Sequence, residues 1–177
     1  MTSKRFPKHF LATAAFAAAT ALAGVSSSIA QTATQGPPTM TQEQARKAVA
    51  PFYDMLNQPA TKNLKALGES AMAPQWRSYA GENNSKGREE FIAQVGGFGK
   101  AIPDLAWEIK EVLVDGNRVI VRSEASGTPA GPLFGVPHGG KHFKIMTIDI
   151  HTVQDGKLIE AYHVEDWAGA IRQLSAK

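Results

Sequence analysis

The stretch from Lys141 to Leu174, KHFKIMTIDIHTVQDGKLIEAYHVEDWAGAIRQL, constrains the fold more than any other part of the chain. Apolar and polar residues alternate on both sides of Asp155-Gly156, a dipeptide suited to a tight hairpin turn because both positions tolerate a positive φ. The spacing predicts a strand over 141–153, a returning strand over 157–165 and a short helix over 167–174, in which Trp167, Ala170, Ile171 and Leu174 share a face. Groups able to do chemistry crowd onto this segment: Asp149, His151, Tyr162, His163, Glu165 and Asp166. Register decides which of them meet. A two-residue turn sets Asp149 opposite Tyr162 and His151 opposite Glu160, with Asp166 beyond on the same face. A three-residue loop, Gln154-Asp155-Gly156 with a bulge, brings His163 and Glu165 onto the face of Asp149 and His151. Tyr162 and Asp166 then join Ile148 and Ile150. Sequence leaves both registers open.

Upstream, the period of the pattern changes. Thr41 and Gln44 fit a capping box, and Ala45, Ala48, Val49, Phe52, Met55 and Leu56 follow at helical spacing. Pro51 falls inside that stripe, so a kink or two abutting helices is expected. A second helix is read over Thr61–Ser70, a short strand over Gln75–Tyr79, a loop over Gly81–Gly87 and a helix over Arg88–Gly99. From Leu105 the period becomes two. Leu105, Trp107, Ile109 and Leu113 oppose Ala106, Glu108, Lys110 and Val112, a turn falls at Asp115-Gly116-Asn117, and Val119, Val121, Ser123 and Ala125 form the next inward row. The Gly- and Pro-rich run 127–140 is too broken for an element, yet Leu133, Phe134 and Val136 would suit a lid. Helices first and antiparallel strands afterwards argue an α+β fold, with N-terminal helices packed on one face of a curved antiparallel sheet.

Residues 1–30 read as a signal peptide. Lys4, Arg5 and Lys8 precede an uncharged run from Leu11 to Val25, and Ser28-Ile29-Ala30 offers a cleavage site. That run is too short and too weakly apolar for a membrane span. The expectation is export, periplasmic or secreted, without stable membrane insertion after cleavage. Residues 31–40 read as a flexible linker and 41–177 as one domain. The formal net charge of +3 resides in the first segment: three of the 19 Lys and Arg lie there, leaving 16 against 16 Asp and Glu. The balanced remainder, without a basic stripe, gives no nucleic-acid signature. With no cysteine, disulfides and thiolate sites are excluded.

Asp149, mid-strand between two isoleucines, is the residue that most needs a reason, since Asp is disfavoured in strands. It either enters a pocket or faces outward to water. His151 shares its face. Arg122 could hold an enolate or form a surface ion pair, and Tyr79, Trp76 and Trp107 could line a pocket or fill the core. The histidine spacing offers no metal site.

Several short motifs occur together in order: Pro103-Asp104-Leu105, Gly127-Thr128, Gly135-Val136-Pro137 with Gly140-Lys141, Ile148-Asp149-Ile150, Asp155-Gly156-Lys157, and Tyr162-x-x-x-Asp166 leading into Arg172-Gln173-Leu174. In these the chain resembles the SnoaL-like polyketide (ester) cyclases of the nuclear-transport-factor-two-like superfamily, over roughly residues 41–174. The resemblance implies a cone with an internal pocket, often a homodimer, that takes a small apolar carbonyl compound. It also implies intramolecular aldol chemistry without metal or organic cofactor. An acidic residue near the start of the last helix is the family's acid/base, which carries onto Asp166. From the residues themselves, Asp149 is expected to assist, and His151, Tyr162, His163, Arg122, Tyr79 and Trp107 are the expected ligand-binding residues. Two departures stand out: Pro129 replaces a histidine common after Gly-Thr, and Tyr162 replaces a common tryptophan. Because the superfamily has members that only bind, a non-catalytic binding module is the alternative.

Overall fold

The computed structural model describes residues 39–176, so the expected signal peptide and most of the linker lie outside the described residues. Four helices pack on one face of a six-stranded sheet. Helix α1 (Gln42–Leu56) begins at the expected capping box, with Thr41 Oγ1 accepting from the Gln44 amide and Gln44 Oε1 accepting from the Thr41 amide. Pro51 does not split it; α1 is one element, and the buried Phe52, Tyr53, Met55 and Leu56 beyond the proline offset its cost of about 3 kcal/mol. A single 3-10 turn (Pro59–Thr61) leads into α2 (Leu64–Ala71). The expected short strand is a ten-residue β1 (Met72–Gly81), and the expected loop after it contains β2 (Asn84–Gly87) before α3 (Arg88–Ala101).

The second half supplies β3 (Ala106–Asp115), β4 (Arg118–Gly127), β5 (Phe143–Gln154), β6 (Lys157–Glu165) and α4 (Trp167–Ser175). Strand order is β2-β1-β6-β5-β4-β3. The sheet is mixed rather than wholly antiparallel. β1 reaches β6 after a crossover through nearly the whole chain and lies parallel to it, while the other neighbours are antiparallel.

Bulges bend the sheet and change its faces. In β3 the register shifts between Ile109 and Glu111. As a result Val112 is 4% exposed and Leu113 52% exposed, the reverse of the uninterrupted alternation read from sequence. In the β5–β6 hairpin, Asp155 (φ 51°) and Gly156 (φ 73°) form the two-residue turn, and Gln154 pairs with Lys157. A shift beyond Val153–Leu158 leaves Ile159 unpaired, so Thr152 pairs with Glu160, Asp149 with His163 and Thr147 with Glu165. The turn is that of the first register, and the faces are those of the second.

The inner face carries Phe143, Ile145, Thr147, Asp149, His151 and Val153 from β5, against Val119, Val121, Ser123 and Ala125 from β4. Buried residues of α1, with Phe91 and Val95 of α3, cover it. Residues 128–142 form no strand beyond one bridge, Leu133 to Val136. Its tip, Phe134 (φ 50°) and Gly135 (φ 79°), is a second tight turn.

Candidate active site

A cavity lies between α1, α3 and the concave face of the sheet. It spans about 530 Å³ including its open mouth. Phe52 and Leu56 of α1 and Phe91, Val95 and Phe98 of α3 form apolar walls. Trp167, which also lines the cavity, stacks on Phe98 (centroids 5.4 Å, 6° between planes), and Phe134 meets the Trp167 ring edgewise at 5.1 Å. The 128–142 loop therefore sets its tip against an aromatic residue lining the cavity, the place expected of a lid. Apolar walls with few placed polar groups are the usual make-up of a small-molecule site.

The floor is polar. β5 contributes Asp149, and β6, shifted by its bulge, contributes His163 and Glu165. Asp149 is 4% exposed and His151 0%. The Tyr53 hydroxyl donates to Asp149 Oδ2 at 2.8 Å and lies 3.2 Å from His151 Nε2. Asp149 Oδ1 has no hydrogen-bond partner among the described residues. Ser78 Oγ lies 2.9 Å from His163 Nδ1, and Trp167 Nε1 donates to Glu165 at 2.6 Å. Two further polar atoms on cavity-lining residues, Gln94 Oε1 and Trp107 Nε1, are buried without a partner among the described residues. Unpaired buried polar groups are costly.

This environment separates the ionisable groups. Burial is the largest influence on Asp149 and raises its carboxyl to about 7; Glu165 adds repulsion, while the Tyr53 hydrogen bond opposes the rise. Burial, aided by His163, lowers His151 to about 3, so its imidazole is neutral at physiological pH. Burial also lowers His163, with Glu165 opposing and Lys86 reinforcing. The Tyr53 hydroxyl is held well above the ordinary phenol value, first by burial and then by Asp149.

The expected site residues therefore divide. Asp149, His163 and Trp107 come together in the cavity. His151 is on the same inner face but stands behind Tyr53. Tyr162, Tyr79 and Arg122 belong to the outer face. Tyr162 is 43% exposed and stacks on Tyr79 at 5.1 Å, with the Arg118 guanidinium 5.9 Å from its ring. Arg122 pairs with Glu111 at 3.1 Å. The β6 bulge decides this placement, because it turns Tyr162 outward with Ile148 and Ile150. Asp166 does not line the cavity. Its Oδ1 accepts from the Gly169 amide at 2.7 Å as the N-cap of α4, and Oδ2 lies 3.7 Å from Arg172. Sequence reading missed Tyr53 and Gln94. Tyr53 flanks Phe52 on the helical stripe, and its hydroxyl gave no signal until Asp149 was known to point at it.

Comparison with known families matches residues 45–174 to the SnoaL-like polyketide cyclase model. Among solved structures, TsrD from Streptomyces laurentii superposes with a TM-score of 0.67 at 22% identity, covering 78% of this chain and 99% of its own. A protein from Jannaschia sp. CCS1 assigned as a SnoaL-like polyketide cyclase gives 0.66 at 26% identity, covering 76% and 94%. IdmH from Streptomyces antibioticus, assigned as a polyketide cyclase, gives 0.67 at 22% identity, covering 75% and 99%. Comparison with curated proteins returns no match.

Proposed function

The chain belongs to the SnoaL-like polyketide cyclase family, and from that membership we propose that its cavity binds a small, largely apolar carbonyl compound on which Asp149 performs cofactor-independent acid/base chemistry. One observation carries the reading: a buried carboxyl, raised to about 7, on the floor of an apolar cavity. A group with that affinity for protons is present both as base and as acid near neutral pH. As carboxylate, Asp149 removes a proton from the carbon next to the ligand carbonyl, and the C–H electrons form an enolate. In a cyclase, the enolate carbon attacks a second carbonyl of the same molecule. The new alkoxide then recovers the proton from Asp149. In an isomerase, the proton returns to a different carbon. Either sequence restores Asp149 and consumes nothing else. Trp167 and Phe98 wall the cavity, and Phe134 of the 128–142 loop packs against both rings.

Export remains part of the proposal and rests on the residues of segment 1–30. Sequencing the N-terminus of protein from the secreting cell should read from Gln31; an intact Met1 would remove it.

The chemistry is tested by hydrogen–deuterium exchange at the α-carbon of a panel of aromatic β-keto esters in deuterated buffer, followed by NMR. The wild-type protein should exchange at least one of them faster than buffer. Asp149→Asn should lower that rate about 10²–10⁴-fold, the range for a general acid/base. Asp166→Asn should leave it nearly unchanged. Loss of exchange in Asp166→Asn with an active Asp149→Asn would sink the assignment. The apolar walls also support a second reading, binding without turnover. It predicts tight binding of a panel member with no exchange above buffer.

A further inference from the structure

The Asp149–Tyr53–His151 chain is more than a means of satisfying buried polar atoms. We propose that Tyr53 and His151 are positioning residues that confine the working proton of Asp149 to Oδ1, the oxygen left free for the cavity. The proposal rests on the reading of Asp149 as the acid/base.

The geometry permits a single order of donors in the ionised state. A carboxylate only accepts, so the Tyr53 hydroxyl hydrogen points to Oδ2, 2.8 Å away. The Tyr53 oxygen is then left as an acceptor. His151 Nε2, 3.2 Å from it, must carry the hydrogen and donate. Nδ1 is consequently bare, and it is the His151 atom that is buried without a partner among the described residues. Neutral His151 supplies one N–H, and the chain uses it to orient the tyrosine. An imidazolium here would place two N–H groups where one has no acceptor, which disfavours charging independently of the burial itself.

When Asp149 takes a proton, the two oxygens are not equivalent. Oδ2 already accepts from Tyr53. A proton placed there would compete with the Tyr53 hydrogen and force the whole chain to reverse, ending with Tyr53 donating to His151 Nε2. Oδ1 has no such conflict. Tyr53 thus makes an otherwise symmetric carboxyl directional, loading and releasing its proton on the side where the ligand sits. Phe52 fixes the assembly, with its ring 5.4 Å from Tyr53 and 5.0 Å from His151, both edgewise.

Several titratable or charged groups face this chain from the surrounding elements. Tyr53 comes from α1, His151 from β5, and His163 and Glu165 from β6, while Lys86 of β2 acts on His163. None of the β6 groups hydrogen-bonds to Tyr53 or His151. A change at Tyr53 should therefore be read by Asp149 directly.

The test uses NMR on the full domain without any ligand. In wild-type protein the ¹⁵N signals of His151 should report a neutral ring protonated at Nε2 throughout pH 5–8. The ¹³C signal of the Asp149 carboxyl should titrate near neutrality. In Tyr53→Phe, with the donor to Oδ2 gone, the Asp149 midpoint should rise by about one unit. The pH profile of α-proton exchange should follow it. His151→Gln, which keeps an N–H donor, should retain more of the wild-type midpoint than His151→Leu. A His151 ring protonated at Nδ1 in wild-type protein would overturn the proposal without recourse to any variant. So would a Tyr53→Phe midpoint identical to wild type. A wild-type Asp149 midpoint near 4 would instead overturn the acid/base reading on which the proposal stands.

Discussion

Asp149 and His151 are neighbours on one face, and burial moves them in opposite directions, with consequences for stability as pH varies. The folded carboxyl titrates at about 7, against about 4 for an unfolded aspartate. Its contribution is therefore complete below pH 4 and is lost as pH rises to 7. The folded imidazole titrates at about 3, against about 6.5 unfolded, so its contribution is present above 6.5 and lost as pH falls towards 3. Between pH 4 and 6.5 the folded state holds one proton more at Asp149 and one fewer at His151, and the two slopes cancel. Asp149→Asn removes one side of this balance. Its denaturant stability should fall, relative to wild type, by about 1.4 kcal/mol per unit as pH drops from 6.5 to 4. Parallel curves for the two proteins would show that Asp149 titrates as an ordinary aspartate, since both proteins share the His151 contribution. Asp149 was legible in the sequence because an aspartate between two isoleucines in a strand demands an explanation. Tyr53 was not, because an aromatic beside a helical apolar stripe is indistinguishable from core until its partner on another element is known.

The same contrast recurs among the elements. Alternation alone identified β3–β6, and the capping box located the start of α1. What escaped was the pairing, since a bulge adds one residue to a strand without altering its composition. Ile159 in β6 and the shift after Ile109 in β3 each turned the downstream residues to the other face. That is why the hairpin combined the turn of one expected register with the faces of the other, and why Tyr162 went outward. Asp166 directly follows the end of β6 at Glu165 and caps α4. Asp166→Ala should lower stability by about 1 kcal/mol, and Asp166→Asn, which preserves the acceptor, by only a few tenths. Gly169→Ala should resemble the alanine variant at residue 166, because an added methyl would collide with the Asp166 carboxylate. Thermal melts would separate these outcomes. Equal loss in Asp166→Asn and Asp166→Ala would mean that its charge beside Arg172, rather than its acceptor oxygen, stabilises α4.

At the scale of the whole molecule, the order of helices before strands was enough to place one helical layer on one sheet, and the family resemblance supplied the enclosed cavity. The parallel β1–β6 pairing was invisible because it joins the first strand to the last. That pairing completes the opposite surface too. The outer face exposes Val164 (72%), Met146 (56%), Leu113 (52%) and Ile148 (39%), with Ile148 and Val164 directly paired across β5 and β6. Ion pairs edge this apolar strip, Arg122 with Glu111 at 3.1 Å and Lys144 with Glu124 at 3.0 Å. An apolar centre with a charged margin is the layout of a protein interface. We propose that two copies pair through this face as a homodimer, leaving both cavities open on the far side of each sheet. Light scattering on the purified domain should give twice the chain mass. Val164→Lys combined with Ile148→Lys should give the monomer, because a two-fold axis sets each new charge against its like in the partner. Their outward position means that the variant should keep the titration of Asp149. A monomeric wild-type protein would leave the strip without a partner of its own kind. A monomeric variant with an altered Asp149 titration would show that the two faces of the sheet are not independent.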